Sequence, residues 1–232
     1  MLLVLAGCAH RIRPAVRPGQ SAIALTAGPN TSLVYLSRVN SGGLIAIDLG
    51  WWGATRSVRE ALSELRAQPG EVSDVFLTHS HRDHIGAWRL FKRSRFHLAA
   101  AELAAFTGKD GHSGWIPRIV EKFRRTDLPP AGALEVHGFS SDTTFVFGAD
   151  TVFAYLVPGH TAGSTAYLHR GTLFIGDAMT FSRWTGFGPA RRGYSDDAEV
   201  ASQSLRALWP RLPRDAVKII CTAHAKCFPY KP

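Results

Sequence analysis

Short apolar runs, rich in β-branched and aromatic residues and broken by turn residues, set the rhythm of the chain. Ser21 to Leu25, Ser32 to Leu36 and Leu44 to Asp48 read as strands, separated by turn signals at Gly28-Pro29-Asn30 and Asn40-Ser41-Gly42-Gly43. Ser57 to Arg66 changes period. Val58, Ala61, Leu62 and Leu65 fall on one helical face opposite polar residues, and Pro69-Gly70 ends the segment. Asp74 to Thr78 is a buried-strand pattern, and Ile85, Trp88, Leu90 and Phe91 predict a helix soon after it. Arg95 to Ala99 reads as a strand and Ala101 to Phe106 as a short helix. Pro129-Pro130 with Gly132 marks a seam between two halves. Beyond it, strand-like runs cover Leu134 to His137, Thr144 to Phe147, Thr151 to Leu156, Ser164 to His169, Leu173 to Ile175 and Val217 to Cys221. Ala198 to Leu208 is helical by pattern. Strands then helices, twice over, predict an α/β fold, an αββα sandwich of two facing mixed sheets flanked by helices.

Composition narrows this picture. A chain of 232 residues with 45% hydrophobic content supports one sizeable core, so residues 21–232 are expected to form a single domain. Residues 9–20 are basic, Pro-rich and aperiodic, as in a tether. Ahead of them, residues 1–8 run Leu2-Leu3-Val4-Leu5-Ala6-Gly7-Cys8, and Leu5-Ala6-Gly7-Cys8 resembles the lipobox of a bacterial lipoprotein. The expected location is therefore the bacterial cell envelope, facing the periplasm and anchored by lipid on Cys8, or the cytoplasm without that anchor. No stretch approaches eighteen uninterrupted apolar residues. The net charge of +9 is scattered apart from short clusters such as Arg11-Ile12-Arg13, Lys92-Arg93-Ser94-Arg95 and Arg124-Arg125, and is read as solubility. Cys221 and Cys227 flank His224; spacing leaves a disulfide and a buried free thiol both open.

The chemistry concentrates at Thr78-His79-Ser80-His81-Arg82-Asp83-His84, which reads H-x-H-x-D-H. At this composition such a motif arises by chance in about one chain of this size in a thousand. Imidazole and carboxylate are the donors that Zn²⁺ and its first-row neighbours prefer. His79 and His81 lie two apart past a strand end, so in extended geometry they point the same way. Further candidates follow in order. Asp48 closes Ile45-Ala46-Ile47-Asp48, His160 sits in Pro158-Gly159-His160-Thr161, Asp177 in Ile175-Gly176-Asp177, and His224 in Cys221-Thr222-Ala223-His224.

This ordered set resembles the metallo-β-lactamase superfamily over about residues 30 to 228. The resemblance implies two metal ions, Zn²⁺ with Fe or Mn as alternatives. His79, His81 and His160 would hold the first, Asp83, His84 and His224 the second, and Asp177 would bridge them. It implies hydrolysis by a hydroxide shared between the ions, with Asp83 as the catalytic residue that orients it and shuttles its proton. Asp48 would hold the metal loop from behind. The chain departs from the family pattern at Leu49, where Thr or Ser is usual, and at Ala223, where Gly usually precedes the last histidine. Lactamases with the H-x-H-x-D-H motif lack a bridging Asp at the place of Asp177, whereas lactonases, thioester hydrolases and phosphodiesterases carry one.

The expected function is thus hydrolysis of a small ester, lactone, thioester or amide. A β-lactamase, a phosphodiesterase or nuclease, and a non-hydrolytic iron enzyme of the same fold are the alternatives. The expected partner is a small-molecule substrate, with no nucleic acid. Only eight residues follow His224, where glyoxalase-type enzymes carry a helical substrate domain, so glutathione recognition of that type is not expected. Residues 108–125 are a candidate substrate lid. Its His112 is expected to be solvated, as lone loop histidines usually are. Arg82, Arg191-Arg192 and Lys226 could bind an anionic substrate group, although each reads first as a surface charge. Trp51-Trp52 would floor a pocket or pack in the core. The N-terminal reading has a direct test. Cys8→Ser in the full-length precursor is expected to move the protein from membrane pellet to soluble fraction on ultracentrifugation; unchanged sedimentation would refute lipidation.

Overall fold

The computed structural model describes residues 32–51, 53–114, 116–119, 128–182, 184–224 and 227–230, with the backbone of 21–26. Cys8 with segments 1–8 and 9–20, the turn at 28–30, Trp52, Trp115, Arg124-Arg125 and Lys226 lie outside the described residues.

Two six-stranded sheets carry the fold. The first contains β1 (Ser21–Thr26), β2 (Ser32–Arg38), β3 (Leu44–Ile47), β4 (Val72–Phe76), β5 (Arg95–Ala99) and β6 (Glu135–Phe139), in spatial order β1 to β6. Its first three strands pair antiparallel, and β3 through β6 run parallel. The helix α1 (Ala54–Glu64) makes the crossover from β3 to β4. The second sheet contains β7 (Thr143–Phe147), β8 (Asp150–Leu156), β9 (Thr165–His169), β10 (Thr172–Gly176), β13 (Ile219–Thr222) and β14 (Cys227–Pro229). Its order is β14-β13-β10-β9-β8-β7, and only β10 and β13 pair in parallel. A separate hairpin joins β11 (Met179–Ser182) to β12 (Gly186–Pro189).

Alternation along the strands builds three apolar layers. Val34, Leu36, Leu44, Ala46 and Val75 face outward onto Val58, Ala61 and Leu62 of α1 and onto Leu65 just past its end. Tyr35, Ile45, Ile47 and Phe76 face inward and meet Phe147, Val152, Tyr167 and Phe174 from the second sheet. Leu168, Leu173 and Ile220 face outward from that sheet onto Leu205 and Leu208 of α3 (Ala198–Leu208). Helix, sheet, sheet, helix is the αββα order read from the sequence. Among the described residues no helix is long and apolar enough to cross a membrane.

Two local expectations change. The helix expected from Ile85 is instead a run of turns followed by a 3₁₀ segment at Trp88–Phe91. The backbone there keeps only short i to i−3 bonds along itself, such as Trp88 N–H to Ile85 O, and also bonds sideways. Leu49 N–H donates to His84 O at 2.7 Å, Gly86 N–H to Gly50 O at 2.7 Å and Ala87 N–H to Leu49 O at 3.0 Å. A Cβ on Gly86 would lie 2.1 Å from Trp51 O, so only glycine permits this approach. Ala101 to Phe106 likewise splits into a 3₁₀ turn at Ala100–Glu102 and one α-turn, α2 (Leu103–Phe106). The β11–β12 hairpin and β14 were not legible in the hydrophobic pattern.

Phe76 sits at the centre of the inter-sheet layer, fully buried, with its ring 4.8–6.1 Å from those of His97, Phe145, Phe147 and Tyr167. Phe76→Ala is expected to cost about 3–5 kcal/mol in urea unfolding. A loss below about 1 kcal/mol would mean the sheets do not share this core.

Candidate metal centre

Every predicted ligand sits in a turn beyond a strand end, and all face one end of the sandwich. Asp48 follows β3 in the left-handed region, φ 54°, a conformation Asp tolerates better than most side chains. From there its buried carboxylate accepts Thr78 N–H and Thr78 Oγ1–H, each at 2.8 Å, and His84 Nδ1–H at 2.8 Å. The supporting contact at Leu49 is made by its backbone N–H on His84 O, while its side chain is core. Ala223 is not among the positive-φ residues, which among the described residues other than glycine are Asp48, Arg66, Arg170 and Asp215.

His160 is set by the start of α3. Asp197 caps that helix through Glu199 N–H and Val200 N–H, and its own N–H donates to Gly159 O at 2.9 Å. Asp196 N–H donates to His160 O at 3.0 Å, and its carboxylate accepts Ser113 N–H and Gly114 N–H. One acidic pair thus ties the His160 loop to the segment carrying His112.

The side chains converge in two groups. His79, His81, His160 and Asp177 offer donor atoms all within 4.8 Å of one another, and Asp83, His84 and His224 do the same. In the first group His79 Nε2, His81 Nδ1 and His160 Nε2 are 2.9–3.2 Å apart. Three ligands on a tetrahedral cation with bonds of about 2.0–2.1 Å would stand about 3.3 Å apart, so the residues present fit a small divalent ion. Asp177 Oδ2 lies between the groups, 3.6 Å from His160 Nε2, 2.9 Å from His224 Nε2 and 3.9 Å from His84 Nε2. Asp83 Oδ2 is 3.2 Å from His224 Nε2. Buried His84 Nε2 has no hydrogen-bond partner among the described residues.

Electrostatics divides the groups further. Burial, then the neighbouring imidazoles, hold His79 well below its ordinary pKa, and His81 is lowered in the same way. Burial lowers His160 despite the opposing Asp177. Both effects favour the uncharged form of these rings, the form that can offer a lone pair to a cation. Burial also opposes charge on His84 and His224, but carboxylates win there. Asp48 and Asp177 raise His84 well above its ordinary value, and Asp177 with Asp83 raises His224 to about 9. Asp177 resists burial through His224 and His84 and stays well below the usual carboxylate range.

A cleft of about 250 Å³ opens over these groups. Trp51, Ile116, Met179 and Phe181 give it an apolar wall, and Arg82, Arg191 and Tyr194 stand at its polar side. Trp51 is 7% exposed, so it serves cleft and core together. Arg192 is exposed and does not line the cleft. His112 corrects the sequence expectation. It is 6% exposed, its ring 4.2 Å from that of His81 and its Nε2 3.2 Å from Ser80 Oγ. Cys221 and Cys227 form a disulfide across β13 and β14, closing the loop that presents His224. Sequence reasoning missed Glu102, the β11–β12 hairpin and Tyr194. A single acid within Ala99-Ala100-Ala101-Glu102-Leu103 was the available signal for the first.

The model of the metallo-beta-lactamase superfamily matches residues 27–224. The chain belongs to this superfamily. Among curated proteins it is 28% identical over 169 residues to a protein of Bacillus velezensis named a probable polyketide biosynthesis zinc-dependent hydrolase, covering 72% of this chain and 62% of that one. It is 28% identical over 165 residues to the hydroxyacylglutathione hydrolase of Fuscovulum blasticum, covering 70% and 52%. The chain therefore spans less than two thirds of the length of these relatives. Among solved structures, a metallo-β-lactamase family protein of Thermus thermophilus superposes with TM-score 0.66 at 21% identity, covering 90% of this chain and 75% of that one. An archaeal superfamily protein of Sulfolobus tokodaii gives 0.67 at 15%, covering 90% and 81%. At these identities the superpositions bear on the fold.

The pKa directions predict a stability maximum for the superfamily member stripped of metal. Below pH 6.5 the unfolded chain protonates His79, His81 and His160 while the folded protein resists, so stability falls with pH. Above 6.5 the folded protein holds protons on His84 and His224 that the unfolded chain has released, so stability falls as pH rises towards about 9. Melting temperature in the presence of a chelator is expected to peak near pH 6.5. A monotonic rise from pH 6 to 9 would contradict the charge assignment.

Proposed function

We propose that this protein is a hydrolase that uses two divalent metal ions, Zn²⁺ in the first instance, to cleave a small ester, lactone, thioester or amide. One observation carries the reading. Seven donor side chains, buried except for the partly exposed Asp83, Asp177 and His224, converge in two adjoining groups with Asp177 near both, and three of their ring nitrogens face one another. A single N–H···N bond can account for one pair of these nitrogens but not for all three at once, whereas a cation between them accepts a lone pair from each. The names of the curated relatives as hydrolases, one of them zinc-dependent, agree with it.

His79, His81 and His160 would hold one ion, Asp83, His84 and His224 the other, with Asp177 reaching both. Such ions, when bound, lower the pKa of water and polarise a substrate oxygen. The chain supplies the rest. Asp83 faces the cleft and accepts the proton of the attacking water at its carboxylate oxygen. Asp48 keeps His84 in a single tautomer, with Nδ1 bonded and Nε2 directed to the site. The wall of Trp51, Met179 and Phe181 excludes water and seats the apolar part of a small acyl substrate. Arg191, with no carboxylate at ion-pair distance among the described residues, suits an anionic substituent.

Purified protein is expected to bind close to two Zn²⁺ per chain and to turn over at least one member of a panel of lactones, thioesters, phosphodiesters and cephalosporins. Asp177→Ala and Asp83→Asn should each lower kcat/KM on that substrate by at least about a hundredfold, about 2.7 kcal/mol of transition-state stabilisation. Activity within a few-fold of wild type in both variants would exclude this mechanism.

A further inference from the structure

One charged group near the centre has no place in the ligand set or in the superfamily motifs identified above. Glu102, at the end of the 3₁₀ turn after β5, is 1% exposed. Among the described residues no lysine or arginine lies within ion-pair distance of it. A buried carboxylate without a cation is costly unless hydrogen bonds replace its hydration. Glu102 has three. Its Oε2 accepts Ser80 N–H at 2.8 Å and Ser80 Oγ–H at 2.5 Å, and its Oε1 accepts Gly163 N–H at 2.7 Å.

The two partners identify the role. Ser80 lies between His79 and His81, and Gly163 lies in the turn that carries His160. The β4 loop and the β8–β9 loop belong to different sheets, and this carboxylate bonds both. The approach is close. A Cβ on Gly163 would stand 2.7 Å from Glu102 Cγ and 2.9 Å from Ala99 Cβ. Asp48 makes the corresponding contacts on the other flank, to Thr78 and His84. The two acids therefore divide the work, with Asp48 behind the second group and Glu102 behind the first.

We propose that Glu102 is a positioning residue that clamps the His79–His81 loop to the His160 loop and thereby sets the metal affinity of the three-histidine group, without touching ion or substrate. The inference rests on the metal-dependent reading above. Its physical basis is the number of acceptor atoms. A carboxylate has two oxygens and serves both loops. A glutamine has one oxygen, so it can serve Ser80 or Gly163 and must confront the other donor with an N–H.

The test is stepwise Zn²⁺ titration of the metal-stripped protein against a chromophoric chelator, with Co²⁺ absorption identifying which group fills. Glu102→Gln is expected to weaken the three-histidine group about 10–100-fold and the Asp83–His84–His224 group at least fivefold less. Asp48→Asn should show the opposite bias. A difference between groups smaller than fivefold in Glu102→Gln overturns the proposal, because a general structural role would weaken both alike. If Glu102→Gln does not fold, Ser80→Ala decides. It removes one of the three bonds and is expected to lose about threefold at the three-histidine group alone; unchanged affinity there overturns the clamp. Wild-type protein that binds no Zn²⁺ would sink the metal reading and this proposal together, whereas two ions in wild type and in Glu102→Gln with equal affinities would sink the clamp alone.

Discussion

Three uncharged ring nitrogens held 2.9–3.2 Å apart are the constraint around which this molecule is arranged. One ring N–H can bridge only one pair in that triangle, so the other contacts bring lone pairs together. The arrangement persists because the loops that carry the rings are fixed from behind. Asp48 grips Thr78 and His84, and Glu102 grips Ser80 and Gly163. Each buried acid is satisfied by backbone N–H and hydroxyl donors, bonds made shorter and stronger by the charge on the acceptor.

Such a centre needs a stiff support, and the two sheets supply it. The inter-sheet layer around Phe76, Tyr167 and Phe174 is largely aromatic and aliphatic, with the buried His97 ring stacked on Phe76. Tyr167 links this layer to the metal loop, donating its hydroxyl to Leu77 O at 3.0 Å directly before it. Polar groups that would be unstable in the core are gathered at one end, where strand ends leave loops free to aim side chains. The division costs the metal-free protein stability at that end, as expected where function sets the geometry.

Charge is arranged as carefully as shape. Neutral histidines surround one position, and histidines raised by Asp48, Asp83 and Asp177 surround the other. Asp177 Oδ2 stands 2.9–3.9 Å from ring nitrogens of both clusters, so one substitution there is expected to disturb both. Above them the cleft sets an apolar wall against Arg191, so polarity is graded from the acidic floor to the basic rim.

Much of this was legible in the order of residues. Ligand chemistry picked out H-x-H-x-D-H, the family resemblance added Asp48, His160, Asp177 and His224, and the folded chain brings the seven His and Asp side chains other than Asp48 into two clusters. Period-2 and period-3.6 patterns placed most strands, α1 and α3, because one-sided burial leaves its mark on local sequence. Other features depended on contacts between distant segments. Ile85 to Phe91 has helical spacing yet is not an α-helix, since the Gly86 and Ala87 N–H groups bond to Gly50 O and Leu49 O and Gly86 must clear Trp51. His112 reads as a solvated loop histidine and is buried against His81 because Asp196 draws its segment inward. The Cys221–Cys227 bond was one of two open readings until β13 and β14 paired. Glu102 carries no motif at all. Its meaning lies in two backbone N–H groups, 22 and 61 residues away in sequence, and only the folded chain brings them to one carboxylate.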